Sequence, residues 1–223
     1  GFENAALEET AAELLDARGR SLVVSGSRSK DTQMLIAGIN DMLGNYEKTL
    51  SIERPAYYKQ GVDSDVFGLL DEMNAGRVKA LIVMDANPSF TLGAAFDEAL
   101  ANVDTTVSLS ERINETTAKV QYLAPDHHWL ESWNDAIPKA GVLATAQPTI
   151  APLFTTRQAP ESLLRWAGRD VTYYDFMREV WQTDLMPLQN TFASFETMWR
   201  NTVHDGSMSY PAAPEAVTRD MSG

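Results

Sequence analysis

The chain has 223 residues, 44% hydrophobic and 22% charged, with a formal net charge of −13 from 18 basic and 31 acidic residues. That acidic balance argues against a nucleic-acid backbone as ligand, which needs clustered Lys and Arg. With no cysteine, disulfides, thiolate catalysis and cysteine-ligated iron–sulfur clusters are excluded within these residues, and no apolar run of roughly eighteen residues is present to span a membrane. The chain opens on Gly1 with no signal-like segment and is expected to be a piece of a longer protein, so missing targeting signals carry no weight.

An amphipathic helix is expected over Phe2–Ala17, with Leu7, Ala11, Leu14 and Leu15 on one face and Gly19 ending it. Ser21–Ser25 reads as a short strand, and Gly26–Ser29 as a turn. Ser29 or Asp31 would then cap a helix through Met34, Leu35, Ile39 and Leu43 that stops at Gly44-Asn45. Thr49–Ile52 is a second, weaker strand, followed by a loop over Glu53–Val62 and a helix over Ser64–Ala75. The unbroken apolar run from Ala80 to Met84, halted by Asp85, suits a strand buried on both faces. Pro88 ends it and pushes Asn87 toward an extended or turn conformation. A helix over Thr91–Leu100 follows, with Leu92, Phe96, Ala99 and Leu100 on one face. Asp104–Leu109 and Lys119–Leu123 are the fourth and fifth strands. Asp126–Pro160 is irregular and proline-punctuated. Short helices then carry Leu163, Leu164 and Trp166, then Tyr174, Met177 and Trp181, then Phe192, Phe195 and Trp199, and the tail from His204 is expected to be disordered.

Strands alternating with helices imply an α/β fold of the Rossmann-like, doubly wound kind: a mostly parallel five-stranded sheet with a helical C-terminal extension. The expected division is an α/β core over 1–125, an irregular segment and C-terminal helices packed on it over 126–203, and the tail over 204–223. A quasi-repeat fits this layout: Leu14-Leu15-Asp16 with Gly19-Arg20, and Leu69-Leu70-Asp71 with Gly76-Arg77, each precede a strand. Duplication and a common αβ hairpin explain it equally. The strand order is expected to place Ser21–Ser25 and Ala80–Met84 centrally, with the loops at Gly26 and Asn87 adjacent at the carboxyl edge, where such sheets bind ligands.

The candidate binding residues are Asn87 and Pro88, in the turn after the long apolar strand, and Gly26 and Ser27, in the turn after the first. The run Ser25-Gly26-Ser27-Arg28-Ser29-Lys30 could receive a phosphate at a helix N-terminus. It lacks the Gly-x-Gly-x-x-Gly and Gly-Lys-Ser/Thr patterns, which leaves a structural turn as the other reading. His127, Glu131 and Asp135 would stack on one face if helical and suggest a metal, but the nearby prolines favour a braced loop, and no metal site is expected. No nucleophilic triad is suggested and no catalytic residue is named. Five tryptophans, Trp129, Trp133, Trp166, Trp181 and Trp199, lie in the second half. They suit helices packing on the sheet, or an interface.

Three segments together resemble the molybdopterin oxidoreductase (dimethyl sulfoxide reductase) superfamily. They are Leu81-Ile82-Val83-Met84-Asp85-Ala86-Asn87-Pro88, then Glu115-Thr116-Thr117-Ala118 leading into Val120–Pro125, then Leu130-Glu131-Ser132-Trp133-Asn134-Asp135. Asn40–Thr49 and the Leu-Glu-Ser-Trp run look like those of one branch, the molybdopterin-like iron–sulfur subunit of the quinol:cytochrome c oxidoreductase called alternative complex III. The resemblance covers about residues 12–206. It implies a family whose Asn-Pro turn, here Asn87-Pro88, helps hold a bis-molybdopterin guanine dinucleotide. The glycine expected two residues before the Asn is Asp85 here, and an anionic side chain beside a phosphate-bearing cofactor is unfavourable. The expectation is therefore a scaffold domain without cofactor of its own. It would sit in a longer iron–sulfur subunit, beside other domains of that subunit and other respiratory-complex subunits, on the periplasmic side of a bacterial inner membrane. It would contact no nucleic acid and insert nothing into the membrane. The alternatives are the pterin guanine dinucleotide-binding domain of an active molybdenum oxidoreductase, and a free-standing small-ligand-binding α/β module.

Overall fold

The structure is a computed structural model and describes residues 4–58 and 61–212. The chain divides into two compact units, one holding the described residues up to Ala56 with Lys139–Gly141, the other Tyr57–Pro138 with Val142–Pro211.

In the first unit, α1 (Asn4–Asp16) and α2 (Lys30–Met42) form where periodicity and capping place them. Ser29 caps α2, its side chain accepting from the Thr32 N–H. No residue of α1 is buried, so its leucine stripe stands uncovered among the described residues. Ser21–Ser25 and Thr49–Ile52 are not strands; between them they show a single isolated bridge, Tyr46 to Leu50. The reason lies in two asparagines. Asn40 Oδ1 accepts from the Val23 N–H (3.0 Å) and Asn40 Nδ2 donates to the Val23 carbonyl (2.7 Å), so a side-chain amide takes the place of a neighbouring strand. Asn45 Nδ2 donates to Asn40 Oδ1 (2.9 Å), Ser21 Oγ donates to Asn45 Oδ1 (3.2 Å), and the Asn45 carbonyl collects the N–H groups of Lys48, Thr49 and Leu50. Both asparagines are buried, and their satisfied amides account for much of the Asn40–Thr49 pattern. Gly44, at φ +64°, supplies the left-handed residue that ends α2.

The second unit opens with α3 (Asp63–Asn74). β1 (Ala80–Val83), α4 (Pro88–Thr91), α5 (Ala94–Leu100), β2 (Thr105–Ser108) and β3 (Tyr122–Leu123) follow. The strands form a parallel sheet in the order β1-β2-β3, with Ala80 opposite Thr105, Val83 opposite Ser108, and Val107 opposite Tyr122. The fold is thus α/β with a parallel sheet, and this sheet has three strands among the described residues. Its core packs Leu70 and Met73 of α3 against Phe96, Ala99 and Leu100 of α5. β2 turns Thr106 and Ser108 inward; Thr106 is satisfied because it exchanges hydrogen bonds with Gln121 (2.9 and 3.2 Å).

Asp126–Pro160, expected to be irregular, contains a hairpin of β4 (Asn134–Lys139) and β5 (Val142–Ala146), turned at Gly141 with φ +82°. After α6 (Ala159–Trp166), α7 (Tyr173–Val180) and α8 (Phe195–Asp205), a last strand β6 (Ser207–Ser209) pairs antiparallel with β5. His204 and the residues to Ser209 are therefore ordered structure, while 213–223 of the expected tail lie outside the described residues. The C-terminal helices pack on this antiparallel sheet. Trp181 and Trp199 are buried with Leu143, Met198 and Met208, and Trp133 packs against them. Trp199 meets Trp181 edge-on at 5.4 Å and lies within about 6 Å of Phe195, Tyr174 and Trp133. Trp129 and Trp166 stay exposed.

Candidate functional site

All three parallel strands end on one side of their sheet, and the loops leaving them there build a cleft of about 610 Å³. Met84–Asn87 come after β1, Ser110, Glu111 and Asn114 after β2, and Asp126, His127 and Trp129 after β3. Gln158 and the start of α6 close another wall. The carboxyl edge of a parallel sheet is where ligands bind in open α/β folds.

Asn87 is held from inside the chain. Its Oδ1 accepts from the Thr116 N–H (3.2 Å) and the Thr116 hydroxyl (2.8 Å), and its Nδ2 donates to Glu115 Oε2 (2.6 Å). Thr116, 0% exposed, in turn accepts from the Ser89 N–H (3.0 Å). Both ends of the amide staple the turn after β1 to the segment after β2. This bond holds the Glu115 carboxyl below its ordinary range. Pro88 is the first residue of α4, where a fixed φ and a missing N–H cost nothing.

Asp85 has φ +51°. This is the left-handed region that glycine occupies freely and Asp tolerates better than most residues. The backbone keeps the bend a glycine would give, while the side chain adds a charge to the cleft. Asp126 is the second carboxylate there. Its Oδ1 accepts from the N–H groups of His127 and Ala159, both at 2.7 Å. Burial nevertheless raises its pKa against those two bonds, and the charge of Asp85 raises it further. Glu111 is the third, paired at 3.0 Å with Arg112, which does not line the cleft.

The other candidate residues, Gly26 and Ser27, belong to the first unit. There, Ser27 Oγ accepts from the Ser29 N–H (3.2 Å), and the carbonyls of Ser25 and Ser27 both accept from Gln33 Nε2. These bonds fold the loop back on its own backbone. His127, Glu131 and Asp135 do not share a helical face. Glu131 closes a single helical turn over Trp129–Glu131 by accepting from the His128 N–H (3.2 Å), and it also takes the Leu153 N–H (3.1 Å). Asp135 accepts from the Tyr173 hydroxyl (2.9 Å) and Trp181 Nε1 (2.7 Å). Burial, and then Asp135, push the Tyr173 pKa up.

Among its lining residues the cleft has three carboxylates and no Lys or Arg. A phosphate about 4 Å from one such carboxylate is disfavoured by roughly 1–4 kcal/mol, depending on how wet the cleft is. The residues present therefore do not suit a phosphate-bearing dinucleotide. Sequence reading passed over Asp126, Trp129 and the Glu115–Thr116 clamp as site residues. The available signal was their position just beyond the ends of the second and third parallel strands.

No protein-family model matches the chain. The chain is 33% identical over 97 residues to the menaquinone reductase, molybdopterin-binding-like subunit, of Nitratidesulfovibrio vulgaris, a match covering 41% of this chain and 14% of that protein. Among solved structures, acetylene hydratase from Pelobacter acetylenicus aligns with a TM-score of 0.47 at 19% identity, over 66% of this chain and 21% of that one. The 97-residue likeness to a molybdopterin-binding-like subunit supports a relationship with the molybdopterin oxidoreductases. The match spans about a seventh of the menaquinone reductase subunit's length.

Proposed function

We propose that the chain is a non-catalytic scaffold region of a longer, molybdopterin-oxidoreductase-like subunit in a respiratory complex that oxidises quinol. In this reading it holds no pterin cofactor of its own and packs against iron–sulfur-bearing domains of the same subunit and against other subunits. The complex faces the periplasm of a bacterial inner membrane and resembles alternative complex III. In the whole protein the parallel sheet would extend at the free edge of β1 toward the five-stranded, Rossmann-like form. The observation that carries the scaffold reading is the lining of the carboxyl-edge cleft: it is acidic, and its Asn87 amide is engaged by Glu115 and Thr116. A second reading, a pterin guanine dinucleotide domain, is favoured by one feature: Asp85 keeps the left-handed backbone that a close approach to a cofactor uses.

Thermal unfolding with and without guanosine diphosphate and extracted pterin cofactor separates the two. A ligand at about 100 times its dissociation constant adds roughly 2.7 kcal/mol, a rise of several degrees. The scaffold reading expects no shift with either. A shift lost in Asn87→Ala would replace it with the cofactor-binding reading.

A further inference from the structure

We propose that the cleft at the carboxyl edge of β1, β2 and β3 binds an organic cation, a guanidinium or ammonium group. The proposal goes beyond the scaffold reading, since a scaffold needs no ligand at this place. Asp126 is fixed by two backbone N–H groups on Oδ1, and its Oδ2 accepts no hydrogen bond among the described residues. Asp85 lies near enough for its charge to act on Asp126, and it has no basic partner among the described residues. Gln158 spends its Nε2 on the Trp133 carbonyl, which leaves Oε1 as an acceptor in the cleft wall. Trp129, 72% exposed, offers an indole face at the rim.

The surface is thus rich in acceptors, and two of its three carboxylates, Asp85 and Asp126, have no Lys or Arg partner among the described residues. A guanidinium presents five donors and no acceptor, and an ammonium three. Carboxylates bind either with charge-assisted hydrogen bonds, and an indole ring adds attraction for a flat cation. A bare metal ion fits less well, because no group of three or more His, Asp or Glu among the described residues converges to hold one. The shared chemistry has two sources: a free small cation, or an Arg or Lys side chain on another protein segment.

Calorimetric titration of the whole chain with L-argininamide, spermidine and the amidated tripeptide Gly-Arg-Gly tests this. Saturable binding is expected, weakened about tenfold or more by Asp126→Asn and by Asp85→Gly. Both variants should fold: Asn keeps the Oδ1 acceptor, and Gly prefers the φ of Asp85. Asp170→Asn, exposed between α6 and α7, should leave binding unchanged. Tighter binding of the tripeptide than of L-argininamide would identify a protein segment as the source. Equal or tighter binding of the free cations would identify a small molecule. Absence of saturable binding by all three probes would overturn the proposal. So would equal weakening by Asp170→Asn, which would reduce the effect to diffuse attraction toward a chain of charge −13. Either failure leaves the scaffold reading intact, whereas stabilisation by guanosine diphosphate overturns that reading as well.

Discussion

Asn87→Ala removes the acceptor for the hydroxyl of a fully buried Thr116 and one of the two acceptors of its N–H, the other being Asn114 Oδ1 at 3.0 Å. A loss of about 1–3 kcal/mol is expected in urea denaturation. The same variant releases Glu115, whose pKa should rise toward its ordinary range in an NMR titration. A depressed carboxylate pKa contributes stability above its unfolded value and loses it as pH falls through the folded value, so the acid limb of the stability curve should flatten in the variant. Asp126 has the opposite sign. Its folded pKa is raised, so the folded state holds the proton more tightly and this residue costs stability as pH rises through the ordinary carboxylate range toward the raised value. Asp126→Asn should remove that dependence and gain stability at neutral pH relative to wild type, measured by denaturant midpoints across pH. The importance of the Asn-Pro turn was legible from Pro88 and the end of the apolar run. The partners of Asn87 were not, because Glu115 and Thr116 lie 28 and 29 residues away.

Among elements, local signals served best where the element satisfies itself. Most helices follow their apolar spacing and caps because these patterns depend on near neighbours, but the helix expected over Thr91–Leu100 is two, α4 and α5, parted at Gly93 with φ +60°, and β1 falls on its apolar run with Ile82 exposed rather than buried on both faces. Ser21–Ser25 has strand composition, but its Val23 backbone is paired by the side chain of Asn40. Asn40→Ala should cost roughly 1–3 kcal/mol, since it leaves both Val23 groups and the Asn45 amide without that partner. The hairpin of β4 and β5 escaped notice because Asn134-Asp135-Ala136-Ile137-Pro138-Lys139 shows no apolar alternation and contains a proline. In the C-terminal core, Trp199→Ala empties the centre of the aromatic cluster. A loss of about 3–5 kcal/mol is expected by thermal or urea unfolding.

For the whole molecule, a net charge of −13 means that like charges oppose compaction. Raising ionic strength from low salt to about 0.15 M should therefore raise the melting temperature, by screening exposed carboxylates at a Debye length of roughly 8 Å. A fall in melting temperature would instead mean that attractive surface pairs such as Lys119 with Asp97 dominate. By itself, the sequence determined the α/β class, most of the helix positions, the apolar strand with its Asn-Pro turn, and the likeness to molybdopterin oxidoreductases. All of these rest on short-range periodicity or on the order of a few motifs. Only the tertiary structure decided that the described parallel sheet has three strands, that Trp133, Trp181 and Trp199 pack on a separate antiparallel sheet, and that Asp85, Glu111 and Asp126 share one cleft without Lys or Arg in its lining. The reason is physical: strand pairing and charge clustering join groups tens of residues apart, and a one-dimensional pattern carries no record of which distant partner each group will meet.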